Sequence, residues 1–283
     1  KDVSYHQPES DYSRSGFSEG LVEEAAISIL RNLGYAYATA GEIAPDGTAP
    51  ERSAYSETIL IERLKTATLR LNPHLPAEAH AEAIRQLTIT ETPSLVEENR
   101  RLHRLLTEGV DIEFATGDGE VKADKLWLID FEHPERNDWL VTNQFTVVEG
   151  RNRRRADIMV FVNGLPLAIV ELKNAGNEHA TISAAWHQLQ TYKAEIPSLF
   201  RTNAVMVASD GMLARIGSLT ADEERFMPWR TVTGADGDFT PHGPREMETL
   251  IRGVFQPERF LALLRDFIVF GDRGEGPFKI IGG

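Results

Sequence analysis

The chain contains no cysteine among its 283 residues. This absence excludes disulfide bonds, thiolate zinc sites and cysteine nucleophiles together. It also favours the cytoplasm over an oxidising compartment. The eight histidines are scattered, and no pair has the spacing of a helical zinc site. A metal site in this sequence therefore has to be built from oxygen ligands, which Mg²⁺, Mn²⁺ and Ca²⁺ prefer.

Long hydrophobic runs and nucleotide-binding loops are also missing. No apolar run approaches the roughly 18 residues that a membrane helix needs, and residues 1–15 are too polar for a signal peptide. The phosphate-binding loop G-x-x-x-x-G-K-[ST] and a G-x-G-x-x-G after a strand are absent, which excludes ATP or NAD binding through those motifs. Residues 16–20 match the nucleophile elbow G-x-S-x-G, but no hydrophobic strand precedes them. We therefore interpret Ser18 as a helix N-cap.

Positive charge is scarce as well. The 30 lysines and arginines face 43 aspartates and glutamates, which gives a net charge of −13. Nucleic-acid-binding proteins are usually basic, because phosphate contacts supply most of their affinity. The acidic balance therefore favours a soluble enzyme for small molecules, unless the carboxylates serve a metal and a larger assembly holds the nucleic acid.

The hydrophobic pattern divides the chain into a helical part and a part rich in strands. A period of 3.6 residues predicts helices over about 19–33, 55–71, 77–87 and 94–106. A period of two predicts strands over 110–115, 125–130, 140–148, 157–162 and 167–172. A helix over 179–196, a strand over 204–208, an amphipathic helix over 245–270 and a glycine-rich end over 271–276 follow. The pattern predicts an α/β or α+β domain with an added helical region.

The informative stretch is a predicted hairpin around Asn163-Gly164, the strongest short hairpin signal. The two flanking runs are apolar enough to be buried on both faces. Asp157 opens the first run, and Glu171 and Lys173 close the second on one shared face. Charges at such positions are costly unless they are paired or bind a metal. Two neighbouring carboxylates would form a site for Mg²⁺, and a lysine beside them could orient water or stabilise a phosphate. The alternative is a salt bridge at the strand ends.

The register of this hairpin decides whether the two acids can meet. A regular two-residue turn at 163–164 would place Asp157 opposite Val170, so that Glu171 would face away. We therefore expect an odd-length loop or a β-bulge, with Gly164 in a left-handed conformation.

These residues carry a family resemblance. Asp157 followed by Glu171-Leu172-Lys173 resembles the D…E-x-K centre of the PD-(D/E)xK nuclease superfamily, with Ala156 in place of the usual proline. The segments 143–147, 161–167 and 171–174 resemble the R subunit (HsdR) of type I restriction enzymes. The resemblance covers most of the chain and includes a match to the family's Q-x-x-x-Y motif at Gln188 and Tyr192.

The resemblance implies a restriction-endonuclease-like α/β fold, with a mixed central sheet flanked by helices. We expect a flexible leader over 1–17 and a nuclease domain over 18–244 with a helical insertion over about 55–107. A helical linker over 245–283 would lead to a motor domain that this chain lacks. The chain also lacks an initiator methionine, and we expect it to be a fragment.

The resemblance also implies a magnesium-dependent endonuclease that hydrolyses double-stranded DNA. The implied catalytic residues are Asp157, Glu171, Lys173, Gln188 and Tyr192, and the implied metal ligands are Asp157, Glu171 and Glu23 of the first helix. The partners of the intact enzyme are the methyltransferase (M) and specificity (S) subunits. ATP and S-adenosylmethionine belong to that complex only, and we expect a cytoplasmic protein without membrane contact.

Several of these residues have simpler interpretations. Arg153, Arg154 and Arg155 could grip DNA phosphates or form a solvated basic loop. Gln188 and Tyr192 share a helix face and could belong to the core. Glu23 could be an exposed glutamate near a helix start.

Two other functions remain open. One is a PD-(D/E)xK nuclease of another family, such as a repair or junction-resolving enzyme. The other is a catalytically silent docking module that joins the motor to its partner subunits, which the acidic charge suits.

Overall fold

The computed structural model of the chain describes residues 12–117, 119–173, 181–235, 237–239, 242, 245–273 and 276–282. The helices are α1 (Tyr12–Asn32), α2 (Ala40–Ile43), α3 (Ile61–Leu71), α4 (Ala77–Thr88), α5 (Leu95–Glu108), α6 (Ile182–Glu195), α7 (Glu246–Val254) and α8 (Pro257–Asp266). The strands are β1 (Ala36–Tyr37), β2 (Val110–Ala115), β3 (Val121–Leu126), β4 (Trp139–Glu149), β5 (Asn152–Val162), β6 (Leu165–Leu172), β7 (Val205–Ser209), β8 (Ala214–Gly217), β9 (Ile268–Arg273) and β10 (Gly276–Ile281).

A mixed sheet of six strands forms the centre, in the order β1-β4-β5-β6-β7-β8. The pairs β1–β4 and β6–β7 are parallel, and the other neighbours are antiparallel. Helices flank this sheet, and β2–β3 and β9–β10 form two small antiparallel hairpins. The predicted mixed α/β architecture is confirmed. Within the described residues, no helix combines the length and apolar character required to cross a lipid bilayer.

Two hydrophobic clusters cover the two faces of the sheet. The first cluster contains Ala26 and Leu30 of α1 together with Leu250 of α7. The second contains Leu189 and Tyr192 of α6. Every residue of β6 between these layers is buried. A strand covered on both faces does not alternate between polar and apolar residues, which explains its continuous apolar run.

The turn between β5 and β6 is buried and held by hydrogen bonds. Asn163 and Gly164 both have positive φ, 51° and 79°, as a two-residue type I′ turn requires. The Asn163 amide donates to the Leu128 carbonyl and to Asn137 Oδ1, both at 2.8 Å. The backbone N–H of Leu60, just before α3, donates to the Gly164 carbonyl at 2.9 Å. The helical region therefore fixes the turn in place.

The first helix differs from the prediction at its start. It begins at Tyr12, within the expected leader, so the interpretation of Ser18 as its N-cap is wrong. Residues 1–11 of that leader lie outside the described residues.

The end of the chain also differs from the predicted single helix. The segment forms α7 and α8, separated at Pro257, which lacks a backbone N–H and starts the second helix. Part of the glycine-rich end belongs to the β9–β10 hairpin. Phe255 and Phe260 of the expected linker pack in the first cluster, so this segment completes the core.

Candidate active site

The β5–β6 hairpin combines a two-residue turn with a β-bulge. The paired residues are Val162 with Leu165 and Phe161 with Pro166 next to the turn, then Val160 with Ala168, Met159 with Ile169 and Ile158 with Val170. Leu167 is therefore an extra residue in β6, which defines the bulge. The next step of this register puts Asp157 opposite Glu171 on the same face. The predicted bulge and the left-handed Gly164 are confirmed.

The face that carries the two acids is the one covered by α6. Met159 and Ile169, each two residues from one of the acids, belong to the second cluster together with Tyr192. Side chains two apart on a strand share a face. Asp157 and Glu171 therefore lie on the α6 side, at the ends of β5 and β6.

Hydrogen bonds orient both carboxylates. The Leu172 N–H donates to Asp157 Oδ2 at 2.8 Å. Lys173 Nζ donates to Glu171 Oε1 at 2.6 Å. Glu171 is 2% exposed, and its buried Oε2 has no hydrogen-bond partner among the described residues. A buried carboxylate oxygen without a donor is costly, so this atom marks a place suited to an external ligand.

The electrostatics of the pair favour a cation. Burial, and after it the negative charge of Asp157, raise the pKa of Glu171 to about 8 against the opposing effect of Lys173. Two carboxylates this close in a poorly hydrated environment repel each other when both are ionised. A bound cation would relieve both the burial cost and the repulsion.

The structure brings Tyr192 to this pair. Tyr192 is 4% exposed, and its hydroxyl donates to the Arg155 carbonyl at 2.7 Å. Burial, followed by the charges of Glu171 and Asp157, raises the pKa of Tyr192 well above its ordinary value. The tyrosine is therefore both a core residue and a protonated hydroxyl beside the acids. Gln188, one turn earlier on α6, is half-buried.

Glu23 lies against β4 and does not form a third carboxylate at the pair. Asn143 Nδ2 donates to Glu23 Oε1 at 2.7 Å, and Gln144 Nε2 donates to the other oxygen. No three acidic or histidine side chains converge to hold a metal in the described part of the chain. The expected grouping of Glu23 with Asp157 and Glu171 is thus not formed. No signal in the sequence marks Asn143 and Gln144 as its partners.

The three arginines before Asp157 have different environments. Arg153 is exposed, and its guanidinium lies 4.8 Å from the centre of the Tyr55 ring. Arg154 forms an ion pair with Glu195 of α6. Arg155 is exposed. Arg153 and Arg155 can therefore meet a ligand from solvent, whereas Arg154 is engaged within the protein. Asn174, which follows Lys173 in the recognised motif, lies outside the described residues.

Comparison with known proteins identifies the family. Residues 16–225 match the family described as type I restriction enzyme R protein N terminus. The endonuclease subunit of type I restriction enzyme HindI from Haemophilus influenzae is 35% identical over 254 residues, which is 89% of this chain and 24% of the relative. The putative type I restriction enzyme MjaIXP endonuclease subunit from Methanocaldococcus jannaschii is 32% identical over 266 residues, 88% of this chain and 25% of the relative.

A third relative matches more of its own length. The type I restriction enzyme EcoprrI endonuclease subunit from Escherichia coli is 26% identical over 280 residues, 94% of this chain and 78% of the relative. The chain spans about a quarter of the length of the first two relatives. The family match covers well over half of the chain, and the chain belongs to the type I restriction enzyme R protein N-terminus family.

Proposed function

We propose that this chain is the magnesium-dependent endonuclease domain of a type I restriction enzyme R subunit and hydrolyses phosphodiester bonds of double-stranded DNA. The observation that carries the proposal is the placement of Asp157 opposite Glu171 on one face, with Lys173 bonded to Glu171. Relatives described as endonuclease subunits support it. The order of these residues on two neighbouring strands also supports the PD-(D/E)xK assignment.

The donor set suits magnesium. Asp157 and Glu171 would hold the ion, because carboxylate oxygens are its preferred ligands, and Glu171 Oε2 has no donor among the described residues. When bound, Mg²⁺ supplies polarisation of a phosphodiester oxygen and makes a water easier to ionise.

The protein's own groups would prepare the site for this chemistry. The Leu172 amide holds one Asp157 oxygen and so fixes the orientation of that carboxylate. Lys173, whose side chain is 23% exposed, can hold the attacking water or donate to a phosphate oxygen. Tyr192 keeps its proton beside the two acids, and Gln188 would support the same helix face. Glu23 is left out of this ligand set, because the Asn143 and Gln144 amides engage its carboxylate.

DNA contact would involve Arg153 and Arg155 on the exposed part of β5. Phosphate contacts position a protein on a duplex without reading its sequence. The net charge of −13 makes binding by this domain alone weak. We therefore assign recognition to the M and S subunits and translocation to an ATP-driven motor, with S-adenosylmethionine serving the intact complex in the cytoplasm. Residues 18–244 would be the nuclease domain and 245–283 its connection to the motor.

The acidic charge favours a second candidate, a catalytically silent module that docks the motor onto its partner subunits. Substitutions in the assembled enzyme separate the two functions. We expect Asp157→Ala and Lys173→Ala to reduce DNA cleavage by more than about 100-fold, while ATP-driven translocation and assembly stay unchanged. Lys122→Ala, at an exposed lysine of β3, is the control and should cleave normally. Full cleavage by the Asp157→Ala enzyme would reject the nuclease and leave the docking module.

A further inference from the structure

Gln144 has an unusual backbone conformation. Among the described residues, Gln144 and Asn163 are the two non-glycine residues with positive φ, 55° and 51°. The turn geometry explains Asn163, whereas Gln144 lies within the 11-residue strand β4. Strand residues have negative φ, and a left-handed residue with a side chain is strained. Such strain persists only where the surroundings hold it.

This strain lies directly across from Asp157. Asn143 pairs with Ile158 and Phe145 with Ala156, so the register puts Gln144 opposite Asp157, where the ladder of paired residues is interrupted. The interruption therefore falls at the rung that carries Asp157, the proposed metal ligand.

Both strands change faces at this rung. Val141 and Phe145 are four residues apart and would share a face in a regular strand. They belong instead to the first and second clusters. Ala156 and Ile158, on either side of Asp157, are divided between the same two clusters. The left-handed conformation of Gln144 thus coincides with a change in which face of the sheet the side chains point to. The change occurs in both strands, at the rung of Gln144 and Asp157.

Glu23 supplies the contact that holds Gln144. Consecutive strand residues normally point to opposite faces, yet Asn143 and Gln144 both donate to the Glu23 carboxylate. The left-handed φ explains how two neighbouring side chains reach one acceptor. The Tyr37 hydroxyl donates to Asn143 Oδ1 at 3.0 Å and extends the network to β1.

We propose that Glu23 and Gln144 are positioning residues for Asp157. The Glu23 carboxylate holds Gln144 in its left-handed conformation. This conformation fixes the backbone of β5 at Asp157, directly opposite Gln144. The Asp157 carboxylate then accepts the hydrogen bond from the Leu172 amide beside Glu171. The inference deepens the proposed function, on which it rests for the role of Asp157. It gives Glu23 an indirect role in place of direct metal contact.

Two substitutions at one position test the backbone role. Gln144→Gly and Gln144→Val both remove the amide, but glycine adopts positive φ freely and valine resists it. The readout is hydrogen exchange of the Leu172 amide by NMR in metal-free protein, because that N–H donates to Asp157. We expect the glycine variant to exchange like the wild type and the valine variant to exchange at least about 10-fold faster. The Val207 amide of β7 serves as the control for global unfolding and should not change.

The alternative outcomes are distinct. Equal loss of Leu172 protection in both variants would show that the Gln144 side chain, and not its backbone conformation, protects this amide. No loss in either variant would show that Gln144 does not position Asp157. Either result overturns the backbone role. Glu23→Ala should behave like Gln144→Val in exchange. A direct metal ligand would instead lose Mn²⁺ affinity, measured by calorimetry, with Leu172 protection intact, and this would overturn the role given to Glu23. Failure of the wild type to bind Mn²⁺ would count against the proposed nuclease while the exchange results still decide the positioning.

Discussion

Glu171 lies opposite Asp157 because β6 contains one more residue than β5 between the turn and the pair. The two-residue turn alone would have put these acids on opposite faces, and the bulge at Leu167 restores them to one face. The turn itself is fixed by its own sequence and by the Leu60 amide. The geometry of the candidate metal site therefore depends on the bulge as much as on the acids.

Substitution of either acid should weaken divalent metal binding. Asp157→Asn and Glu171→Gln each keep the size of the side chain and remove its negative charge, so we expect Mn²⁺ affinity to fall by at least about 10-fold. Isothermal titration calorimetry with Mn²⁺ measures the loss. Asp111→Asn, at an exposed acid of β2, should bind Mn²⁺ like the wild type. Unchanged affinity in both site variants would place any metal elsewhere.

The sequence predicted the central hairpin well because its signals are local. The Asn163-Gly164 pair specifies the turn, and the position of the two acids shows that a regular register would separate them. The sequence did not determine whether an odd-length loop or a β-bulge brings Asp157 and Glu171 to the same face. The bulge lies at Leu167, in a strand buried between two layers, and no local signal in the sequence marks that position.

Other differences have the same tertiary origin. The strand predicted over 125–130 corresponds to β3, which ends at Leu126. The next backbone N–H, that of Trp127, donates to the side-chain oxygen Oδ1 of Asn72. The two-residue strand β1 and the short strand β8 depend on pairing with longer neighbours. The left-handed Gln144 had no signal either, because glutamine does not favour that conformation. Glu23 was expected beside Asp157 and Glu171 as a metal ligand, but its amide partners come from β4, which is distant in the sequence.

The close approach between the hairpin turn and the segment before α3 predicts a costly substitution. A Cβ at Gly164 would lie 2.4 Å from the Leu60 carbonyl oxygen, at a φ of +79°. We expect Gly164→Ala to lower the free energy of unfolding by about 2–4 kcal/mol, from backbone strain and the clash together. Urea denaturation measures this change.

Gly119→Ala provides the matched comparison. Gly119 has a similar φ of +86°, but nothing lies within 4 Å of a Cβ added there. Its substitution should cost only the strain, about 1–2 kcal/mol. Equal losses at the two positions would show that the approach of Leu60 contributes nothing.

The arginines before Asp157 should differ in their effect on DNA binding. Arg155 is exposed, so Arg155→Ala should weaken binding of a duplex and reduce the slope of log affinity against log salt by about one. Arg154 is paired with Glu195, so Arg154→Ala should leave that slope unchanged. Fluorescence anisotropy at several salt concentrations, with the assembled enzyme, measures both. The same slope for Arg155→Ala and the wild type would contradict a phosphate contact.

Lys279 links the final hairpin to the core through a buried ammonium group. Its Nζ donates to Asn99 Oδ1 at 3.0 Å and to the Asn203 carbonyl at 2.5 Å, and the residue is 1% exposed. Burial lowers the pKa of Lys279 to about 7 from its ordinary value of 10.5. The neutral amine is thus more easily accommodated in the folded protein than the cation.

The stability of the folded protein should therefore depend on pH through Lys279. Between pH 7 and 10.5 the unfolded chain binds a proton at this lysine that the folded chain does not, so the free energy of unfolding rises with pH in that window. Below about pH 7 the cost of burying the charge is fully present. We expect urea denaturation of the wild type, compared with Lys279→Met, to show a relative gain of up to about 1.4 kcal/mol per pH unit. Lys122→Met, at an exposed lysine, is the control and should show the same pH dependence as the wild type. If the free energy of unfolding changed with pH in the same way for Lys279→Met and the wild type, Lys279 would titrate alike in the folded and unfolded states.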